Sequence, residues 1–151
     1  MQARLLANQA EKTYALIFET GDEVMAGLRD FARRQQLSGS HFTAIGAFQD
    51  VVLAYFEWQK KEYKPIPIQE QVEVVSLVGD IALKDGQPQV HAHVVVAKSD
   101  GTAYGGHLLE AHVRPTLEVV LTEEPRHLQR KYDAQSGLAL IDLEASEGVP
   151  V

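Results

Sequence analysis

The sequence has no cysteine, which excludes disulfides, thiolate metal sites and cysteine nucleophiles and leaves the fold to stand on burial alone. No apolar run approaches the ~20 residues that a membrane span requires. At the start of the chain, the short apolar stretch 3–7 is broken by Arg4 and followed by Asn8, Gln9 and Glu11, so a signal peptide's apolar core is missing too. These absences point to a cytoplasmic chain with no membrane partner. Positive charge is also scarce. The 14 basic residues are outnumbered by 21 acidic ones, for a net charge of −7, and such an excess repels phosphate backbones and anionic headgroups at long range. Nucleotide-binding and nucleophile signatures are missing as well: there is no G-x-S-x-G, no P-loop, and no G-x-G-x-x-G between a strand and a helix.

What is present is the balance of an ordinary globular domain, 45% hydrophobic and 23% charged over 151 residues. That length supports one sizeable core, so residues 1–151 read as a single domain with its core at about 14–143. Residues 13–18 (TYALIF) read as a buried strand. Thr20, Gly21, Asp22 and Glu23 match a capping box with Thr20 as its first residue. Val24, Leu28, Phe31 and Ala32 then recur at helical spacing, and Gly39 offers a stop. The other face of this helix carries Arg29, Arg33 and Arg34 and reads as solvated.

From residue 41 the pattern turns to short β-rich runs at 41–48, 51–58, 72–83, 90–98, 103–113, 117–121 and 138–143. Turn chemistry separates them at Gln49-Asp50, Lys84-Asp85-Gly86 and Ser99-Asp100-Gly101. Residues 60–67 (KKEYKPIP) read as a surface loop or an edge, and 147–151 as a frayed tail. Short connections imply antiparallel neighbours. The expected fold is therefore α+β, with one main helix packed on a curved, mostly antiparallel sheet of about seven strands. One helix leaves strand surface uncovered. Residues 72–78 (VEVVSLV) and 94–97 (VVVA) lack clean alternation, which predicts burial on both faces and self-association to supply the cover.

Three of the six histidines fall in one short stretch. His91 and His93 are two apart on a predicted strand and so share a face. Beyond the turn at Ser99-Asp100-Gly101 comes Gly105-Gly106-His107-Leu108. If that turn is a three-residue loop with Gly101 in the left-handed position, His93 pairs with His107 and His91 with Leu109. A two-residue loop would turn His107 to the other face. Directly paired side chains have Cβ atoms ~4.5 to 5.5 Å apart, close enough for three ring nitrogens to converge on one ion. Three imidazoles without a thiolate suit zinc best among divalent transition metals, and they leave a coordination position open, the arrangement in which zinc brings a bound water to a pKa of ~7. The competing reading is a set of hydrogen-bonded histidines at a subunit interface.

Other histidine motifs fail. A histidine-triad hydrolase needs a third alternating histidine where Val95 stands, and a cupin needs a carboxylate soon after His93, which residues 94–98 do not supply. His41, His112 and His127 read as ordinary polar residues. Glu110 and Glu118 lie near enough to serve as acid, base or support, or simply as edge charge.

Taken together, Ala44-Ile45-Gly46-Ala47, VEVVSLVG at 72–79, His91-Ala92-His93, Gly105 to Leu109 (GGHLL), Tyr132-Asp133 and Gly137-Leu138 resemble the plant and prokaryote conserved (PPC) domain family over about 14–143. The resemblance implies an α+β fold assembled as a homotrimer. It implies metal binding at His91, His93 and His107, with Gly105, Gly106 and Leu108 as family motif residues. Plant members of the family join this domain to an Arg-Gly-Arg-Pro element that enters the DNA minor groove, and this sequence has no such element. Prokaryotic members commonly carry a DNA-binding label. The VEVVSLVG stretch matches a region that plant members use for partner contact, and His112 takes no role from the family pattern.

Three functions follow as expectations. The first is a trimeric metal-binding domain with a regulatory or sensory role. The second is a metal-dependent enzyme acting on a small molecule. The third is DNA binding, which would need a basic patch built from Arg29, Arg33 and Arg34 or from Arg126, Arg130 and Lys131.

Overall fold

A computed structural model describes residues 1–8 and 11–146, with the side chains of 2–8 left aside. The chain runs β1 (Gln2–Asn8), β2 (Lys12–Glu19), α1 (Val24–Gln35), β3 (Gly39–Glu57), β4 (Glu62–Ile68), β5 (Val72–Lys84), β6 (Gln87–Ala97), β7 (Ala103–Glu123), β8 (Gln129–Asp133) and β9 (Leu138–Asp142). The α+β expectation holds broadly, but nine strands form the sheet and the helix is a single element of 12 residues, a minor part of the fold. The predicted frayed tail at 147–151 lies outside the described residues.

The two longest strands organise everything else. β7 pairs with β2 and β3; β3 pairs in turn with β4, β5 and β7; β6 bridges β5 and β7. The pairings β3–β5–β6–β7–β3 thus form a closed circuit around the core, in which Phe42, Phe48, Leu53, Leu77, Ile81, Leu108, Leu117 and Leu121 are fully buried. Pairing is antiparallel except for the single parallel contact of Leu83 with Gln129. The helix packs on β6 and β7, adding Val24, Met25, Leu28, Phe31 and Ala32 to the same core.

Several local expectations are corrected. Gln49-Asp50 is not a turn. β3 runs through it, because the ladder steps from Phe48↔Val113 to Asp50↔His112 and absorbs the irregularity as a bulge while Phe48, Val51 and Leu53 stay buried. Runs 103–113 and 117–121 likewise merge into β7, which passes through a cis Arg114–Pro115 peptide. The segment at 60–67 supplies an edge strand, β4, whose Pro65 and Pro67 suit a strand with only one neighbour. Strands β1 and β8 were not anticipated: one spans the short apolar stretch at the start of the chain and the other a charged segment.

At the helix start, Glu23 rather than Thr20 is the cap, its carboxylate accepting from the backbone N–H groups of Met25 and Ala26. Thr20 instead donates its hydroxyl to the Pro115 carbonyl at 3.1 Å. The helix ends before Gly39. Gln36 takes the left-handed conformation, with Leu37 N–H bonded to the Ala32 carbonyl and Gln36 N–H to that of Arg33.

The predicted burial of VEVVSLV and VVVA on both faces is not seen within one chain. Val72, Val74, Leu77, Val94 and Val96 point inward, whereas Val75, Val78 and Val95 point out. With Ile45 and Val120, these outward residues form an apolar face whose members are 40% to 61% exposed. Among the described residues no helix is long and apolar enough to cross a membrane.

Candidate metal centre

The centre grows from a hairpin whose register is set by its turn. Ser99-Asp100-Gly101 is a three-residue loop: Gly101 has φ +82°, Lys98 N–H bonds to the Thr102 carbonyl at 3.0 Å, and the Asp100 carboxylate accepts from Thr102 N–H at 2.8 Å. The ladder that follows pairs Ala97 with Ala103 and ends at His93↔His107. The pairing of His93 with His107 is therefore as expected. The pairing of His91 with Leu109 is not, since the β6–β7 ladder stops at His107, while on its other edge β7 stays paired with β3, His107 with Ala54 and Leu108 with Leu53. Gly106 stands next to that end of the ladder. A Cβ there would lie 2.7 Å from the Ala54 carbonyl oxygen, so the missing side chain admits the β3 backbone.

Ala92, Val94 and Leu108 alternate with the histidines and are buried in the core under the helix. His91, His93 and His107 consequently project together from the opposite face. One nitrogen from each ring lies within 4.8 Å of the other two. His91 Nε2 and His93 Nε2 are 3.3 Å apart, and ring centroids are separated by 5.0 Å (His91 and His93), 5.2 Å (His91 and His107) and 5.5 Å (His93 and His107). His107 is the most enclosed. Tyr63 of β4 stacks on it at 4.5 Å and 27°, and its Nδ1 is buried without a hydrogen-bond partner among the described residues.

Proton affinity follows this enclosure. Burial, reinforced by the neighbouring His91 and His93, pushes the His107 imidazole down to about 4. Burial and then His91 lower His93 in the same direction, with Asp80 opposing. Both rings are neutral near pH 7, the form a metal ligand requires. These donors fit a borderline transition metal such as zinc, being three convergent imidazoles with a buried, partnerless ring nitrogen among them.

Three contributors were not anticipated. Asp80 of β5 pairs with His91 across the ladder and brings its Oδ2 to 3.7 Å from His91 Nδ1. A signal for it exists: Asp85-Gly86, both at positive φ, forms a two-residue turn closed by Lys84↔Gln87, and counting back from it places Asp80 opposite His91. Arg130 of β8 binds Asp80 and is only 7% exposed. Burial alone would raise the Asp80 carboxyl, but its contacts with His91 and Arg130 outweigh that and hold it below the usual carboxylate range. Nothing near Arg130 or Tyr63 in the sequence announces their place here.

The other candidates lie elsewhere. Glu110 sits 3.9 Å from His112 Nε2, and His112 Nδ1 is 2.8 Å from Asp50. Glu118 borders the apolar face beside Ile45 and Val120. His41 lies 3.9 Å from Glu124. Arg130, being buried against Asp80, is removed from any basic patch, and Arg29 and Arg33 already face Glu23 and Asp30 at 3.8 Å.

Comparison with known proteins fits this architecture. The sequence model of the Plants and Prokaryotes Conserved (PCC) domain matches residues 6–125. A plant- and prokaryote-conserved protein from Pyrococcus horikoshii is 33% identical, with a TM-score of 0.81 over 93% of this chain and 94% of that one. A metal-containing protein from Archaeoglobus fulgidus is 30% identical, with a TM-score of 0.80 over 93% and 98% of the two chains. A Bacteroides thetaiotaomicron protein provisionally named for DNA binding is 25% identical, with a TM-score of 0.85 over 94% and 98%. The bifunctional protein GlmU of Synechococcus sp. (strain JA-3-3Ab) is 29% identical over 143 residues, which is 92% of this chain and only 22% of that protein.

Proposed function

The chain belongs to the Plants and Prokaryotes Conserved domain family, and on that premise we propose that it is a homotrimeric metal-binding protein with a regulatory or sensory role. The metal is a divalent transition ion, zinc by preference, held by His91, His93 and His107. The observation that carries this reading is the convergence of three imidazole nitrogens within 4.8 Å, one ring keeping a buried, partnerless Nδ1. The Archaeoglobus relative, called metal-containing, supports it. The trimer is supported by the exposed apolar face. One cross-strand row runs Val120, Thr43, Val78, His93, His107, so the face is continuous with the histidines.

A second reading, a metal-dependent enzyme, is favoured by a cavity of about 320 Å³ beside the centre, lined by Val78, Gly79, Asp80, His91 and His93. There Asp80 would orient His91. DNA binding, suggested by the name of the Bacteroides relative, has less support, since the net charge is −7 and Arg130 is neutralised by Asp80.

The test is elemental mass spectrometry of tag-free protein purified without added metal. About one equivalent of a single transition metal per chain is expected. None, even after zinc supplementation, would overturn the metal reading and leave an interaction module. Light scattering at three chain masses checks the trimer, and a monomer would refute it.

A further inference from the structure

Asp80 and Arg130 are not ligands in the reading above, yet they connect the centre to a distant part of the chain. Arg130 sits on the β8–β9 hairpin, beyond residues 6–125 that the family model matches. The hairpin is fastened at both ends. At its base, Leu83 meets Gln129, and Leu83 N–H bonds to the Leu128 carbonyl at 2.8 Å. At its turn, Lys61 Nζ donates to the Ala134 carbonyl at 2.6 Å, tying it to the β3–β4 connection. Between these anchors Arg130 donates through Nη1 to the Ala139 carbonyl at 3.0 Å and through Nη2 to Asp80 Oδ1. The other carboxylate oxygen, Oδ2, faces His91 Nδ1.

A carboxylate beside Nδ1 favours the tautomer with its proton there, and that leaves Nε2 with a free lone pair. His91 Nε2 is the atom that meets His93 Nε2 at 3.3 Å. The guanidinium, 7% exposed, fixes the carboxylate in direction. We infer that Asp80 and Arg130 are positioning residues for the metal centre: the β8–β9 hairpin, through Arg130 and then Asp80, sets the His91 tautomer and so the affinity for metal. This rests on the metal reading, and it adds that affinity is set from outside the three-histidine hairpin.

The experiment titrates Zn(II) and Co(II) against a chromogenic chelator in wild type, D80N, R130Q, R130K and H93A. D80N, isosteric with the native side chain, is expected to weaken binding roughly 10- to 100-fold. R130Q weakens it less, R130K restores part of that loss, and H93A binds no metal. Unchanged affinity in D80N alongside loss in H93A would overturn the relay and leave the metal reading standing. If wild type takes up no metal, the metal reading fails and the relay is decided by ¹⁵N shifts of His91 in the same protein. A proton on Nδ1 in wild type, with the preference lost in D80N, supports it; a proton on Nε2 in wild type overturns it. If R130Q frees the hairpin, D80N still decides both assays.

Discussion

His107 and His112 stand on the same strand, β7, and their surroundings drive them in opposite directions. His107 is enclosed by Tyr63, His91 and His93, with burial the main influence, and gives up its proton down to about 4. His112 is bonded to Asp50 at 2.8 Å, has Glu110 and Glu23 nearby, and is raised above the usual imidazole value by that Asp50 bond, with burial opposing. An imidazole among carboxylates holds a proton, and an imidazole among imidazoles in a partly buried setting holds a lone pair. Two histidines of one strand are thus divided into a proton site and a candidate metal ligand by whether the facing strand presents acid or base.

The contrast can be broken most completely by removing a ligand. His93→Ala is expected to abolish stoichiometric zinc binding, whereas His112→Ala leaves one equivalent per chain; calorimetric titration reads both, and retained metal in the first variant would refute the three-histidine set. The next largest effect strikes both sites together. Leu108, fully buried beside His107 on β7, anchors the strand in the core, and Leu108→Ala should cost about 2 to 5 kcal/mol in urea denaturation.

Acid sharpens the comparison through the opposite signs of the two shifts. In chelator-treated protein, the unfolded chain takes a proton on residue 107 below the ordinary value of ~6.5, while the folded chain refuses it until about pH 4. Stability therefore falls as pH drops between these values, and His107→Gln reduces that slope in denaturation curves recorded across the window. His112, being raised, acts the other way. Its contribution is fully present below ~6.5 and is lost as pH rises through the folded value. Because the side chain is 37% exposed, His112→Asn should cost under about 1 kcal/mol at pH 6 and less at pH 8. An NMR titration that places His112 below the ordinary imidazole value would remove the contrast.

How much of this was legible depends on the range of the interactions involved. Gly101 after Ser99-Asp100 encodes a three-residue loop within a few positions, and the register that brings His93 opposite His107 follows from it. The period-2 placement of His91 and His93 about Ala92 is equally local, as is the apolar spacing of the helix. Asp80 was within reach through the Asp85-Gly86 turn.

What no local pattern carried was decided by distant partners. The β6–β7 ladder stops at His107, short of the pairing of His91 with Leu109 that the turn register implies, and Asp80 meets His91 from β5 on the other edge of β6. Gln49-Asp50 has turn chemistry but is held within β3, as a bulge, by the pairing of β3 with β7. Arg130 reads as surface charge until β8 lays it against Asp80, and Tyr63 reads as loop until β4 stacks it on His107. Turn conformation and side-chain alternation are set by the backbone energetics of neighbouring residues, and these the chain carries in its order. The choice of which strand pairs with which, and hence which groups are desolvated together, is a competition among surfaces far apart in that order, settled by burial in the folded molecule.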